Sequence, residues 1–287
     1  MHPIWSFVSS ILTQIQLVTV DLSNSCFPPS ACLSLESSSL ANDNARSCPI
    51  DSPISCHNTT SFNDSCCFIY PGGQLLLTQL WDIVPTQSPT DSWTIHGLWA
   101  DYCDGSYPAY CNAAPNYHNI SAIISAHSAQ LIEIMQTYWP SIYGSSDHFW
   151  DHEWNKHGTC MNTLAPSCYT AEHYRPGIEV VDYFQRAVDL FKSLDTYKTL
   201  ASAGILPCST KTYAKEQIQA ALSHITGYAV VLSCHGDLLN QVWYNFNVRG
   251  SLQNGEFLPT HPNMHGWAGN CPVTGIRYLP KHRSKTN

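Results

Sequence analysis

The chain has 287 residues, of which 44% are hydrophobic and 12% are charged, so it can bury a sizeable core and should fold as an ordinary globular protein. Its formal net charge of −8 at pH 7 argues against a passive nucleic-acid binder, because tight binding to phosphate backbones requires a basic surface. Protonation of all fourteen histidines would bring that charge to about +6, so the chain should repel a polyanion at neutral pH and tolerate one in acid.

Thirteen cysteines are too many for a reducing cytosol unless metals hold them, and no pair of CxxC motifs indicates zinc. We therefore expect a disulfide-bonded protein that is secreted to the extracellular space or held in a vacuole. Three N-glycosylation sequons agree with such a compartment, at Asn58, Asn63 and Asn119.

The N-terminal residues 1–20 are a candidate signal or leader, because most of them are apolar enough for a signal h-region. Gln14 and Gln16 interrupt this run, and no basic segment precedes it. No other stretch approaches the ~18 consecutive apolar residues of a membrane span, so no membrane partner is expected.

Residues 21–47 are rich in Ser, Asn and Pro and lack hydrophobic periodicity, which predicts a disordered pro-segment or N-terminal extension. The folded domain is expected over residues 48–280. Residues 281–287 are expected to form a flexible tail.

The folded part contains runs with strand patterns and runs with helical periodicity. Strands are predicted over residues 74–81, 93–99, 229–234 and 241–248. Helices are predicted over residues 120–138, from residue 176 to before Gly204, and over 213–225. Because strands and helices do not alternate regularly, we predict an α+β domain in which helices flank a central antiparallel sheet.

The strand over residues 93–99 contains a histidine in an apolar setting. Strict alternation would place His96 on one face with Thr94 and Leu98, and Trp99 on the opposite face. A histidine in such a strand is more often a satisfied core or surface residue than a catalytic one. This strand alone therefore does not establish a site.

The segment over residues 149–160 is much denser in reactive side chains and predicts a short helix, with Ser146 or Asp147 as N-cap and Gly158 as the C′ residue. At 100° per residue, four polar side chains fall within an arc of roughly 140°, namely His152, Glu153, Lys156 and His157. Trp150 and Trp154 lie just beyond the edge of this arc and could anchor the helix.

Two other interpretations of this helix remain open. The first is a solvated charged face, on which Glu153 pairs with His157 and His152 with Lys156. The second is a zinc hydrolase, but the spacing His-Glu-x-x-x-His is one residue too long for both histidines to superpose on one helical face. We therefore predict no metal site.

Together, the segments over residues 93–99 and 149–160 resemble the two active-site signatures of the ribonuclease T2 family, the acid transferase-type RNases of fungi, plants and animals. The resemblance extends over about residues 48–280 and is closest to the fungal branch. Further matching motifs are Cys66-Cys67, Tyr-Trp-Pro at 138–140 and Val-Asp-Tyr-Phe-Gln at 181–185. It implies a disulfide-rich, ribonuclease T2-like α+β fold.

The resemblance also implies an endoribonuclease that cleaves single-stranded RNA, but not DNA, by transphosphorylation to 2′,3′-cyclic phosphate ends and then to 3′-phosphates. His157 would be the general base and His96 the general acid, exchanging roles when water opens the ring. Glu153 and Lys156 would stabilise the phosphoryl transition state, and His152 would bind phosphate. No cofactor is implied, the pH optimum should be acidic, and we expect a monomer.

Base recognition follows from the same resemblance. Trp99 and Tyr107 would sandwich a purine, and Asp101 would accept a hydrogen bond from its exocyclic amine. Because stacking tolerates every base, cleavage should be broadly base-nonspecific with a preference for adenine. The base on the other side of the scissile bond would contact Gln79, Pro140, Ser141 and Phe149.

Five disulfides are implied by the resemblance, and they are Cys48–Cys67, Cys56–Cys103, Cys66–Cys168, Cys111–Cys160 and Cys234–Cys271. Cys26, Cys32 and Cys208 depart from the family pattern. An odd total leaves at least one thiol outside intrachain bridges. We expect Cys26 to pair with Cys32 and Cys208 to be a free thiol.

Two alternatives to a metal-independent ribonuclease remain. One is a secreted binding or signalling protein that keeps the T2-like fold without catalysis. The other is a metal-dependent phosphodiesterase. Cleavage of RNA but not DNA in excess EDTA would separate all three, because only a mechanism that uses the 2′-OH excludes DNA and needs no ion.

Overall fold

A computed structural model of the chain describes residues 45–57, 63–84 and 88–282. The strands in this part are β1 (Gln74–Leu80), β2 (Thr94–Asp101), β3 (Val231–His235), β4 (Leu238–Arg249) and β5 (Glu256–Pro259). The helices are α1 (Ile120–His127), α2 (Ala129–Tyr138), α3 (Ser146–Lys156), α4 (Ile178–Ser193), α5 (Thr196–Ser202) and α6 (Lys215–Thr226). All neighbouring strands are antiparallel, in the order β2-β1-β4-β3, with β5 also paired to β4. The predicted α+β class is confirmed.

The sheet has one face in the core and one face that lines a cavity. Side chains of the core face include Leu75 and Leu77 of β1 and Val242 and Tyr244 of β4, all of them buried. Helix α4 packs on this face, and the Tyr183 hydroxyl donates a hydrogen bond of 2.9 Å to a backbone carbonyl of β2. The alternate residues of the same strands point away from the helices.

A β-bulge at His96 changes the predicted faces of β2. Thr78 of β1 pairs with Gly97, whereas Gln79 pairs with Ile95, so His96 has no partner on β1. The extra residue interrupts the alternation. As a result, Trp99 contacts the His96 ring, whereas Leu98 lies in the core; our assignment of Leu98 to the face of His96, with Trp99 opposite, was wrong.

Two predicted helices are each divided in the structure. The helix over 120–138 breaks at Ser128, whose extended backbone ends α1 and whose hydroxyl accepts a hydrogen bond from the Leu131 amide to cap α2. Asp195 caps α5 in the same way and separates it from α4. The third helix is confirmed, and Gly227 ends α6 in the left-handed conformation, with φ of 79°. Strand β5, only four residues long, was not predicted.

Structured residues occur just outside the range expected for the folded domain. Ala45 forms a bridge with Tyr169, three residues before the expected start at Cys48. At the other end, Lys281 is buried, and its ammonium group donates to the carbonyls of Pro89 and Ser92 at 3.2 and 2.7 Å. Lys281 is therefore not part of a flexible tail. The predictions for residues 1–44 and 283–287 fall outside the described residues.

The five expected disulfides are present, and they are Cys48–Cys67, Cys56–Cys103, Cys66–Cys168, Cys111–Cys160 and Cys234–Cys271. Cys208 is also disulfide-bonded, so the expectation of a free thiol there was wrong. Cys26 and Cys32 lie outside the described residues.

Asn63 and Asn119 are exposed, so both sequons are accessible, and Asn58 lies outside the described residues. None of the helices in the described ranges is both long and apolar enough to cross a membrane.

Candidate active site

Helix α3 is fixed by its cap and by two buried indoles. Its N-cap is Ser145, one residue before the expected position, and the Ser145 side chain accepts a hydrogen bond from the His148 amide. The Trp150 indole donates to the Trp139 carbonyl at 2.9 Å, and the Trp154 indole donates to the Pro115 carbonyl at 3.0 Å. The anchoring role predicted for Trp150 and Trp154 fits this arrangement.

The end of α3 differs from the prediction. Lys156 is the last helical residue, His157 is the C-cap, and Gly158 begins a 3-10 turn without a left-handed conformation. Glycine is needed there for another reason: a Cβ at Gly158 would lie 2.5 Å from Cε3 of Trp154. Close packing against an indole, and not a C′ conformation, selects this glycine.

Glu153 brings α3 against the bulge of β2. Its carboxyl group is fully buried, with Oε1 3.7 Å from His96 Nε2 and Oε2 accepting a 3.0 Å hydrogen bond from the Trp99 indole. Gly97 makes this approach possible, since a Cβ there would overlap with Glu153 Oε2. The His96 carbonyl accepts a 2.8 Å hydrogen bond from the Trp139 indole, which fixes the bulge.

Trp99 lies between the two candidate catalytic histidines. The His157 ring stacks on Trp99, with centroids 5.1 Å apart and an interplanar angle of 20°, and the His96 ring meets the same indole edge-on at 4.9 Å. His96 Nδ1 and His157 Nε2 are buried without a hydrogen-bond partner among the described residues. His152 is exposed, and its ring lies 6.3 Å from that of His157.

Burial and neighbouring positive charge keep the imidazoles neutral. Burial lowers the pKa of His157 to about 2, assisted by Lys156, His152 and His96. Burial also lowers the pKa of His96 to about 4, with contributions from His152 and Lys156. The pKa of His152 is lowered as well, first by burial and then by Lys156.

The pKa of Glu153 moves in the opposite direction. Burial raises it to about 8, while the hydrogen bond from Trp99 and the charge of Lys156 oppose the shift. His96 and Glu153, whose side chains approach to 3.7 Å, are thus both driven toward their uncharged forms by the same cause, which is burial. At neutral pH these shifts favour an uncharged pair, with the proton on Glu153.

A cavity of about 600 Å³ opens beside these residues on the free face of the sheet. The predicted base-binding residues Trp99, Asp101 and Tyr107 all line it, as do Lys156 and His157. Burial raises the pKa of Asp101 to about 7, and the Tyr107 side chain is 67% exposed. The structure therefore brings the predicted base site next to two of the candidate catalytic residues, Lys156 and His157.

The residues predicted for the second base are only partly brought together. The Phe149 ring lies 5.6 Å from that of His96, and neither residue lines the cavity. Gln79 does not fit this role, because it is fully buried on the core face. Its amide nitrogen donates to the Leu194 carbonyl at 3.1 Å, and its amide oxygen accepts from the Thr196 hydroxyl at 2.7 Å. The Ser141 hydroxyl is used within its own turn, donating to a nearby carbonyl.

Part of the cavity wall was not predicted from the sequence. Gln241, Trp243 and Asn245 line it from β4, and Trp267 lines it from the loop over residues 262–267. The β4 residues were detectable, because polar residues and a tryptophan alternate there with Val, Tyr and Phe. The loop residues carry no comparable pattern.

His152, Glu153 and His157 also offer ligand atoms that lie within 4.8 Å of one another. This separation would admit a metal ion. Lys156, which is close enough to lower the pKa of both histidines, opposes a second positive charge.

Comparisons with known proteins identify the family of this chain. The sequence model of the Ribonuclease T2 family matches residues 56–254. Ribonuclease Trv of Hypocrea rufa is 51% identical over 83% of this chain and 99% of its own length. Ribonuclease T2 of Aspergillus oryzae is 50% identical over 82% of this chain and 84% of its own length.

Solved structures show the same relationship. The crystal structure of Actibind, a T2 ribonuclease, matches with a TM-score of 0.78 and 45% identity, over 83% of this chain and 99% of that one. RNase NT, solved in complex with 5′-AMP, shares the fold at a TM-score of 0.54 and 24% identity, over 72% of this chain and 98% of that one. The chain belongs to the ribonuclease T2 family.

Proposed function

We propose that this chain is a metal-independent endoribonuclease that cleaves single-stranded RNA through a 2′,3′-cyclic phosphate. The observation that carries the proposal is the pair of neutral imidazoles beside a lysine. His157 Nε2 is buried and unpartnered among the described residues, and the pKa of this imidazole is strongly lowered. It therefore stays unprotonated, and available as the general base, even in acid.

RNA supplies its own nucleophile, the 2′-OH. His157 removes the proton from this hydroxyl as the 2′-oxygen bonds to phosphorus, and His96 protonates the 5′-oxygen as the phosphorus–oxygen bond to it breaks. The product is a 2′,3′-cyclic phosphate and a free 5′-hydroxyl. Water then opens the ring to a 3′-phosphate, with the roles of the two histidines reversed.

Lys156 and Glu153 stabilise the phosphoryl group in different ways. Lys156 provides fixed positive charge, and His152 provides a second contact for phosphate at the exposed edge of the site. Because burial raises the pKa of Glu153 to about 8, its carboxyl group is protonated at acidic pH. A protonated carboxyl donates a hydrogen bond to a phosphoryl oxygen without adding a negative charge to the site.

The first test compares RNA with DNA of the same sequence in excess EDTA. We expect RNA to be cleaved at an undiminished rate, DNA to stay intact, and 2′,3′-cyclic phosphate ends to be detectable by mass spectrometry. Loss of activity in EDTA, restored by a divalent ion, would identify a metal-dependent phosphodiesterase. Absence of any cleavage would favour a binding protein without catalysis.

The second test assigns the acid and the base. His96→Phe and His157→Phe should each lower kcat/KM for a dinucleotide by on the order of a hundredfold or more, because each removes a general acid or base. On a nucleoside 3′-phosphodiester with a p-nitrophenolate leaving group, the His96 variant should recover most activity, since this leaving group needs no proton. The His157 variant should remain impaired.

His127→Phe, at the exposed C-terminal end of α1, is the matched control and should behave like the wild type on both substrates. Recovery of the His157 variant in place of the His96 variant would show that the roles are reversed.

The third test uses the pH dependence of kcat/KM, which reports the pKa values of the free enzyme. Activity needs His157 neutral and His96 protonated, and both pKa values are lowered, so the optimum should be acidic and the alkaline limb should lie below pH 6.5. Lys156→Met removes a positive charge that lowers both pKa values. In this variant both limbs of the pH profile should move to higher pH, and kcat/KM should also be lower than in the wild type.

Lys198→Met, an exposed lysine of α5, controls for a general loss of positive charge and should leave the limbs in place. An alkaline limb above pH 7 in the wild type would contradict the assignment of His96 as the acid in this environment.

We also propose a preference for adenine at the base cavity. At acidic pH the Asp101 carboxyl is protonated, because burial raises its pKa to about 7, and it can both donate to and accept from an adenine edge. Asp101→Leu should therefore reduce cleavage of an adenosine dinucleotide more than cleavage of the other three. Asp101→Asn, which keeps a donor and an acceptor, should retain more of the preference. Equal losses for all four bases would remove Asp101 from base recognition.

A further inference from the structure

A line of ring contacts runs through the candidate active site and continues beyond it. Phe149 contacts His96 at 5.6 Å, and His96 contacts Trp99 at 4.9 Å. Trp99 in turn contacts Trp243 at 5.3 Å, and Trp243 contacts Trp267 at 4.5 Å. The mechanism and the predicted base site account for the rings as far as Trp99. The two remaining indoles have no assigned role.

The first indole is held rigidly by β4. Trp243 pairs with Thr78 on one side and Val231 on the other, so its side chain stands on the free face of the sheet. Its ring nitrogen donates a 2.9 Å hydrogen bond to Gln241 Oε1, which fixes the orientation of the indole.

The second indole is presented by a loop that is itself fixed. Asn263 donates a 2.6 Å hydrogen bond to the Cys103 carbonyl, and the Gly266 amide donates to the Asn263 carbonyl at 3.1 Å. These contacts hold the loop over residues 262–267 against the turn that follows β2. Trp267 is 45% exposed, so part of its surface is available to a ligand.

An unpartnered donor lies in the same wall of the cavity. Asn245 lines the cavity and is 5% exposed, and its Nδ2 has no hydrogen-bond partner among the described residues. It is aligned across the sheet with Leu76 and Trp99, and it lies two residues along β4 from Trp243, on the same face. A buried amide donor without a partner costs free energy unless a ligand or water satisfies it.

We propose that Trp243, Trp267 and Asn245 form a further subsite, which binds the base of the nucleotide on the 5′ side of the one that carries the reacting 2′-OH. This inference rests on the proposed ribonuclease mechanism. The leaving 5′-oxygen is protonated by His96, so the downstream nucleotide lies on the Phe149 side of the site. The upstream chain therefore runs the other way, past Trp99 and toward Trp243.

Single-stranded RNA is the occupant that this surface fits. Successive bases present π-faces that stack on aromatic side chains without sequence readout, and the amide of Asn245 can add one hydrogen bond to a base edge. The cavity of about 600 Å³ continues from the base site to both indoles without interruption. Because the chain carries a net charge of −8, stacking offers an affinity for RNA that does not depend on a basic surface.

The test uses short oligonucleotides with a single ribose, so that only one bond can be cleaved. A dinucleotide is compared with a trinucleotide that carries one additional 5′ deoxynucleotide, and with one in which that nucleotide is abasic. For the wild type, the intact 5′ nucleotide should raise kcat/KM on the order of tenfold, a typical contribution of one stacked base, and the abasic one should raise it much less.

Trp267→Ala and Trp267→Leu should bring the trinucleotide-to-dinucleotide ratio close to one, whereas Trp267→Phe should retain most of the gain because it keeps an aromatic face. Met264→Ala is the matched control, since Met264 belongs to the same loop, is 91% exposed and does not line the cavity. A trinucleotide extended on the 3′ side tests whether the subsite lies on the 5′ side. Its kcat/KM relative to that of the dinucleotide should not change when Trp267 is substituted.

The possible outcomes separate this subsite from the ribonuclease mechanism. Failure of the wild type to cleave any ribose-containing substrate would overturn the proposed function itself. Cleavage without a gain from the 5′ nucleotide, or an equal gain from the abasic one, would overturn the subsite alone. If Trp267→Ala lowered kcat/KM equally for the dinucleotide and the trinucleotide, the subsite would also be overturned, because Trp267 would then only shape the base cavity.

Discussion

The burial of the Glu153 carboxyl group against β2 is the constraint on which the rest of the site depends. A buried carboxyl must either find partners or keep its proton, and this one does both. It accepts a hydrogen bond from Trp99, lies next to His96, and has its pKa raised by burial. Gly97 is required because any larger residue would prevent this contact. The two anchored indoles of α3 hold the helix in the position that the contact demands.

This arrangement also sets the electrostatics of the site. Lys156 supplies positive charge, while the histidines around it are kept neutral by burial and by that same charge. The free site is thus less positive than its residue types suggest. A bound phosphate would reverse part of this effect, because a negative charge favours the protonated imidazole. Charge on the histidines is in this way coupled to the presence of substrate.

Much of the site could be predicted from sequence because its reactive residues are concentrated in two short segments. The helical spacing alone gathered Glu153 and His157, and the family resemblance added the five disulfide pairs and suggested the catalytic roles that we propose. The fold class followed from the pattern of strands and helices. These features depend on local sequence or on a resemblance that covers most of the chain.

The failures concern features that local sequence does not determine. The face on which Gln79 lies depends on the pairing of β1 with its neighbours, and the bulge at His96 shifts the alternation along β2. The predicted helix breaks at Ser128 because the Ser128 hydroxyl accepts the hydrogen bond of the Leu131 amide. In a continuous helix, a backbone carbonyl would accept this bond. Lys281 was assigned to a tail, yet its ammonium group lies over the Trp81 ring and donates to two backbone carbonyls.

The alternation of β4 has a consequence for how substrate preference can change. Val242 and Tyr244 belong to the core, whereas Trp243 and Asn245, between and beside them, face the cavity. Successive positions of one strand are therefore subject to separate requirements, one for folding and one for the proposed binding of RNA. Substitutions at every second residue could alter which RNA is preferred while the hydrophobic layer stays constant. In this strand, specificity can evolve without the loss of stability that usually accompanies changes near a core.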